Sequence, residues 1–244
     1  MSEILKVEDL NVSFRNKGKG FFDRAIQKQV LFDVSLSVNE GEIVGLVGES
    51  GSGKSTIAKA VLGLVPCTGT VTLSDGANPR MIFQDPAGSL DPSKKLSFLL
   101  EEALLLAGEK DRETRRKKAA EKLEMVGLSR EFLGRYPREL SGGQRQRAAI
   151  ALALMQEPGF LIADEPVSAL DVTIQAQVLE LLNDLQEKMG LSILFISHDL
   201  RVVYHMCDRV VILRQGRVVE EGIPEEVYRN PQSEYTRLLL SSIS

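Results

Sequence analysis

Cysteine, aromatic side chains, net positive charge and long apolar runs are all scarce in this sequence, and each scarcity removes a class of function. Only Cys67 and Cys207 occur, far apart and without a CxxC pair. That excludes a disulfide framework and a cysteine-held zinc site, and it fits a reducing cytosol. The formal net charge is -4 and the pI about 5.4, so the basic footprint of a nucleic-acid binder is missing and no nucleic-acid partner is expected. No uninterrupted apolar run approaches the roughly 20 residues of a membrane helix. Any membrane role is expected to come through partners. Met1 is followed by Ser2, Glu3, Ile4, Leu5 and Lys6, not by a basic-then-apolar leader, so no signal peptide is expected. With 43% hydrophobic but only 5% aromatic residues over 244 positions, the core must be aliphatic, in one large domain or two small ones.

Along the chain, Ile4 to Phe14 alternates apolar and polar residues and then breaks at Asn16-Lys17-Gly18-Lys19-Gly20, which predicts a strand and a loop. A second strand is expected over Val30 to Val38. The short apolar run Ile43-Val44-Gly45-Leu46-Val47 has the character of a buried parallel strand and leads into a glycine-rich loop. Ser55 to Leu64 then reads as a helix. From about residue 95 to 140 the sequence turns helical and charge-rich, which predicts a helical subdomain within a single 1–244 domain. The basic cluster Arg112, Arg115, Arg116, Lys117 and Lys118 lies among Glu109, Asp111, Glu113, Glu121 and Glu124, and so predicts a solvated helix face. Further on, a helix is expected over Gln144 to Gln156, a strand over Phe160 to Ala163, a helix over Ile174 to Met189 and a strand over Ser192 to Ile196. Val210 to Leu213 and Arg217 to Glu220 suggest a hairpin around Gln215-Gly216. Alternating strands and helices indicate an α/β fold with a mostly parallel sheet.

Gly48-Glu49-Ser50-Gly51-Ser52-Gly53-Lys54-Ser55 fits GxxxxGK[ST] between a predicted strand and a predicted helix, followed by Thr56. Glycines let the backbone wrap a phosphate, and the amides of the loop and helix start point at the anion. Lys54 is placed to reach terminal phosphates and the Ser55 hydroxyl to sit on Mg²⁺. Phe160-Leu161-Ile162-Ala163-Asp164-Glu165 delivers two carboxylates at the end of an apolar strand, where open α/β sheets bind ligands. Asp164 would hold Mg²⁺. Glu165, facing the other way, would orient or deprotonate an attacking water.

Between these motifs, Leu140-Ser141-Gly142-Gly143-Gln144 resembles the signature sequence of ABC ATPases. The resemblance extends over essentially the whole chain. Phe83-Gln84-Asp85-Pro86 is similar to that family's Q-loop, Ser168-Ala169-Leu170-Asp171 to its D-loop, and His198 to its switch histidine. It implies a P-loop NTPase fold of the ABC type, with a mostly parallel core sheet, a small antiparallel β-subdomain and a helical subdomain. It implies ATP and Mg²⁺ as ligands, with each ATP sandwiched between one subunit's phosphate loop and the other's signature. Ser141, Gly142, Gly143 and Gln144 would then contact the partner's nucleotide, His198 would reach the γ-phosphate, Gln84 would touch Mg²⁺ and the water, and Asp171 would lie at the seam. Phe14 is the candidate for stacking on adenine, with Phe21 and Phe22 as alternatives. One departure is spacing: Gln84 follows Lys54 by only 30 positions (84 − 54), which implies a trimmed β-subdomain.

Finer features narrow the subfamily. Phe83-Gln84-Asp85-Pro86 with Ser89-Leu90-Asp91-Pro92, and the tail Asn230-Pro231-Gln232-Ser233-Glu234-Tyr235-Thr236-Arg237-Leu238-Leu239, are similar to stretches of peptide and nickel importer ATPases. The implied partners are a second ATPase subunit (identical or paralogous), two transmembrane permease subunits and an extracytoplasmic binding protein. The implied place is the cytoplasmic face of the membrane. An exporter ATPase and a non-transport ABC ATPase acting on nucleic acid remain as alternatives.

Overall fold

A computed structural model describes residues 2–16 and 26–241. The strands, in chain order, are β1 (Glu3–Asn16), β2 (Ile26–Asn39), β3 (Ile43–Val47), β4 (Thr68–Leu73), β5 (Arg80–Ile82), β6 (Phe160–Asp164), β7 (Ser192–Ser197), β8 (Arg209–Arg214) and β9 (Arg217–Gly222). The first five helices are α1 (Lys54–Val61), α2 (Pro86–Ser89), α3 (Leu96–Leu106), α4 (Arg112–Met125) and α5 (Gly142–Leu154). The remaining four are α6 (Val172–Met189), α7 (Leu200–Met206), α8 (Pro224–Arg229) and α9 (Glu234–Ser241). None of the helices among the described residues is long and apolar enough to cross a membrane.

Two compact units form. One comprises Met1–Asp75 with Ser192–Ser244, the other Gly76–Leu191. In the first, β1 pairs antiparallel with both β2 and β4. Separately, β3 lies parallel between β7 and β8, and β9 returns antiparallel along β8. Every residue of β3 and β7 is buried, as two-sided cover demands of parallel strands. Gln215 (φ 46) and Gly216 (φ 76) make the β8–β9 turn, both left-handed as a two-residue hairpin requires. The end of β2 is tied to β8 by a polar knot. Arg209 Nε donates to Glu42 Oε1 at 2.8 Å and its Nη2 to the Ser37 carbonyl at 2.7 Å. Burial, the largest single influence, pushes the Glu42 carboxyl up, yet hydrogen bonds from Arg209 and Asn39 together bring it below its ordinary range.

In the second unit, β5 pairs parallel with β6, Ile82 opposite Ala163. Asp111 caps α4 by accepting from the Thr114 amide at 2.7 Å, and Asp171 caps α6 by accepting from the Ile174 amide at 3.0 Å. Val178, Leu182 and Leu185 are the buried face of α6, each contributing about 1.5–3 kcal/mol of burial. The helix stops at Gly190 in the left-handed conformation. On α4, Arg112, Arg116 and Lys117 are exposed, but Arg115 and Lys118 of the same cluster are half-buried, Arg115 donating to the Glu109 and Lys110 carbonyls, and Ala119, Ala120 and Leu123 are buried.

The expected elements recur with shifts of a few residues. The largest is at β2, which begins at Ile26, four residues before Val30. α1 begins at Lys54 and ends at Val61, three residues before Leu64, because Leu62 and Gly63 turn out of the helix. Between α1 and β5 the chain holds a single strand, β4.

Candidate functional site

In each unit the singled-out residues leave the C-terminal ends of adjacent parallel strands. Val47 of β3 lies opposite Ser197 of β7, so the Gly48 loop and His198 emerge side by side. In the other unit Ile82 lies opposite Ala163, so Phe83-Gln84 and Asp164-Glu165 emerge together. This is the edge at which α/β sheets bind ligands.

The loop from Gly48 to Lys54 is packed against its own sheet. A side chain on Gly48 would place its Cβ 2.2 Å from the Leu213 carbonyl oxygen, so only glycine fits. The Gly216 amide donates to the Ser52 carbonyl at 2.8 Å, and the Ser52 amide to Glu49 O at 3.1 Å. Lys54, only 6% exposed, donates from Nζ to Gly48 O at 2.6 Å and Glu49 O at 3.0 Å. Helix α1 starts from Gly53 (φ 114) with no side-chain cap. Its start is therefore open to an anion, and the helix field adds positive potential there. Ser50 and Gly51 are exposed, while Ser55 and Thr56 are half-buried in the first turn. A cavity of about 760 Å³ beside Gly51 is lined also by Phe32 and by the cations Lys28, Arg214 and Arg217. Nothing in the sequence marked those three cations, which lie far from the loop in chain order. Phe14, at the end of β1 opposite Lys28, is 37% exposed and presents a ring to solvent. Phe21 and Phe22 lie outside the described residues.

Asp164 ends β6 and is buried, 6% exposed. Glu165 follows with φ 47, a left-handed backbone uncommon for a non-glycine residue and typical of functional sites. Its carboxylate accepts from Gln84 Nε2 at 2.9 Å, joining two residues 81 positions apart. The turn after it is held by the Ser168 amide and hydroxyl, which donate to Glu165 O at 3.3 and 3.2 Å.

Ser141 and Gln144 form a reciprocal capping box at the start of α5. The Gln144 amide donates to Ser141 Oγ at 3.3 Å and the Ser141 amide to Gln144 Oε1 at 3.0 Å. Ser141 and Gly142 are exposed. Gly143 is buried, with Ile174 of α6 so close that a Cβ would lie 2.6 Å from its Cγ2. His198 is exposed, and the next residue, Asp199, caps α7 by accepting from the Arg201 amide at 2.9 Å.

The sequence pattern that defines the ABC transporter family matches residues 31–168, more than half of the chain. The chain belongs to that family. It is an ABC-type ATPase. Over 247 aligned residues it is 46% identical to a Brucella ovis protein provisionally named a peptide import ATP-binding protein, covering 95% of this chain and 78% of that one. It is 42% identical over 259 aligned residues to the oligopeptide transport ATP-binding protein OppF of Lactococcus lactis, covering 100% of this chain and 81% of OppF. Among solved structures it is similar to the ATP-binding cassette MJ0796, a dimer in a post-hydrolysis state bound to ADP and Pi. The identity is 31% and the TM-score 0.76, covering 90% of this chain and 98% of that one.

Proposed function

We propose that this ABC ATPase drives uptake of short peptides across a membrane. The observation that carries the reading is identity of 42–46% over at least 95% of the chain to proteins named for peptide import or oligopeptide transport. The FQDPAGSLDP stretch and the NPQSEYTRLLL tail support it from the sequence side. The chain would sit at the cytoplasmic face beside two permease subunits, a second ATPase subunit (a copy or a paralogue) and a separate binding protein for the peptide.

In this reading the loop from Gly48 to Thr56 cradles the phosphates with backbone amides other than that of Glu49, and Lys54 turns from Gly48 O to the terminal ones. Phe14 stacks on adenine. Ser55, Gln84 and Asp164 offer a hydroxyl, a carboxamide and a carboxylate, an all-oxygen set that suits a hard cation such as Mg²⁺. When bound, that ion supplies charge neutralisation between the phosphates. Glu165 polarises the attacking water, with Gln84 as its hydrogen-bond partner and His198 on the γ-phosphate side. Ser141, Gly142, Gly143 and Gln144 meet the nucleotide held by the partner subunit, and Asp171 lies at the seam between the two.

A deletion strain tests the substrate, scored for uptake of labelled di- and oligopeptides and of nickel chelates. Loss of peptide uptake is the expected result. Loss of nickel uptake alone would move the assignment to metal complexes. Intact uptake of both, with loss of export of some compound, would overturn import altogether.

A further inference from the structure

One peptide group of the phosphate loop is held at both ends. The carbonyl of the Gly48–Glu49 peptide accepts from the Lys54 ammonium at 2.6 Å. The N–H of the same peptide, on Glu49, donates to the Tyr235 hydroxyl at 3.2 Å, across 186 positions of sequence. A peptide group is planar and rigid, so these two bonds together set its orientation. One partner belongs to the loop. The other comes from the C-terminal helix α9.

Tyr235 is built to stay in place. It is 3% exposed, and the Arg214 guanidinium lies over its ring at 4.8 Å. The approach to α9 is pinned by Glu220 of β9, whose carboxylate accepts from the Gln232 and Ser233 amides at 2.7 and 3.0 Å. Arg237 closes the same turn, donating to Pro231 O at 3.0 Å and Gln232 O at 3.2 Å. β8 itself carries Arg214 and also presses Leu213 O against Gly48, so loop, strand and tail form one packed block.

The two grips differ in permanence. Lys54 is the group that must turn away from Gly48 O to meet a phosphate, and when it does the carbonyl end of the peptide is released. The Tyr235 end is not. We infer that Tyr235 is a positioning residue of the phosphate loop: its hydroxyl keeps the Gly48–Glu49 peptide aligned while Lys54 moves to the nucleotide. The C-terminal helix thereby sets the loop's affinity for ATP. This rests on the reading of Gly48 to Ser55 as the phosphate loop.

Tyr235→Phe in the full chain keeps the ring and its Arg214 contact and removes only the hydroxyl. Loss of one hydrogen bond predicts ATP binding about 2- to 10-fold weaker. In the assembled transporter KM for ATP should rise by a similar factor with kcat at saturating ATP unchanged. Hydrogen exchange at the Glu49 amide should speed up in the nucleotide-free variant. Tyr228→Phe is the matched control, since that hydroxyl donates to Leu200 O at 2.9 Å and does not touch the loop. Unchanged ATP affinity in Tyr235→Phe, or equal weakening in Tyr228→Phe, overturns the proposal. Should Tyr235→Phe fail to fold, exchange in the wild-type chain decides alone: a Glu49 amide as fast as an exposed loop amide overturns it too. Lys54→Ala separates the two readings. If it binds ATP like wild type, the phosphate-loop reading falls. If it binds weakly while Tyr235→Phe binds normally, only the role of Tyr235 falls.

Discussion

The loop before α1 and the loop before α5 both offer glycines and serines at a helix start, yet they are organised by opposite means. The first is held from a distance, by Leu213 against Gly48, by Gly216 on Ser52 and by Tyr235 on Glu49. Its helix begins at a left-handed glycine with no side-chain cap. The second is held by itself, with Ser141 and Gln144 capping each other across three positions. A helix start without a cap keeps its donors for a ligand, whereas a capped one has already spent two of them. Under the proposed function, the difference would separate a loop that binds an anion within its own chain from a loop whose exposed Ser141 and Gly142 meet a surface from outside.

In that reading binding belongs to the first loop, association to the second, and bond breaking to Glu165. The largest expected effect therefore falls outside both loops. Glu165→Gln should bind ATP normally and lose about 10²–10⁴-fold in turnover, the usual range for a general base, or about 3–5 kcal/mol of barrier. Single-turnover hydrolysis by the assembled transporter measures it. Near-normal turnover would remove Glu165 from the role, and its left-handed backbone would need another explanation.

A smaller effect sharpens the comparison directly. In Gly48→Ala the added carbon meets a backbone carbonyl oxygen at 2.2 Å, which no rotamer relieves. Overpacking of that kind costs about 1–3 kcal/mol, so the thermal midpoint and ATP affinity should both drop. In Gly142→Ala the added carbon meets only Leu170 Cδ2 at 3.5 Å, ordinary contact, and alanine loses less backbone entropy on folding than glycine. Its midpoint should stay level or rise. Equal losses in the two variants would erase the distinction between a loop set by tertiary packing and one set locally.

The same distinction explains what was legible in the sequence. β3, β6 and β7 are short, fully buried runs and were readable as such, as was the β8–β9 hairpin from Gln215-Gly216. β4 was not, because it is largely exposed and carries Thr68, Gly69, Thr70 and Thr72 between its few apolar residues. β5 has three residues, and α7, α8 and α9 have seven, six and eight, too few for a helical period to show. At the site, the local motifs were visible because spacing encodes them. The capping box of Ser141 and Gln144 lies within four residues. The resemblance brought Gln84 to the same water as Glu165 but did not pair the two, and neither the Gln84–Glu165 bond nor the Tyr235–Glu49 bond was visible, since tertiary packing joins residues that no local pattern relates. The left-handed backbone of Glu165 likewise has no local sequence signature; it directly precedes the turn that Ser168 closes.

The central claim is that the self-capped loop acts on the nucleotide of another subunit. It is tested most directly by sedimentation of the Glu165→Gln chain with its partner ATPase, a second copy or the paralogue, with and without ATP. ATP should drive association of the Glu165→Gln chain. Adding Ser141→Arg places a bulky cation at the exposed cap and should abolish that association while leaving this chain's own ATP affinity unchanged. If the double variant associates as readily as Glu165→Gln alone, the loop before α5 does not meet a partner's nucleotide and the account is wrong.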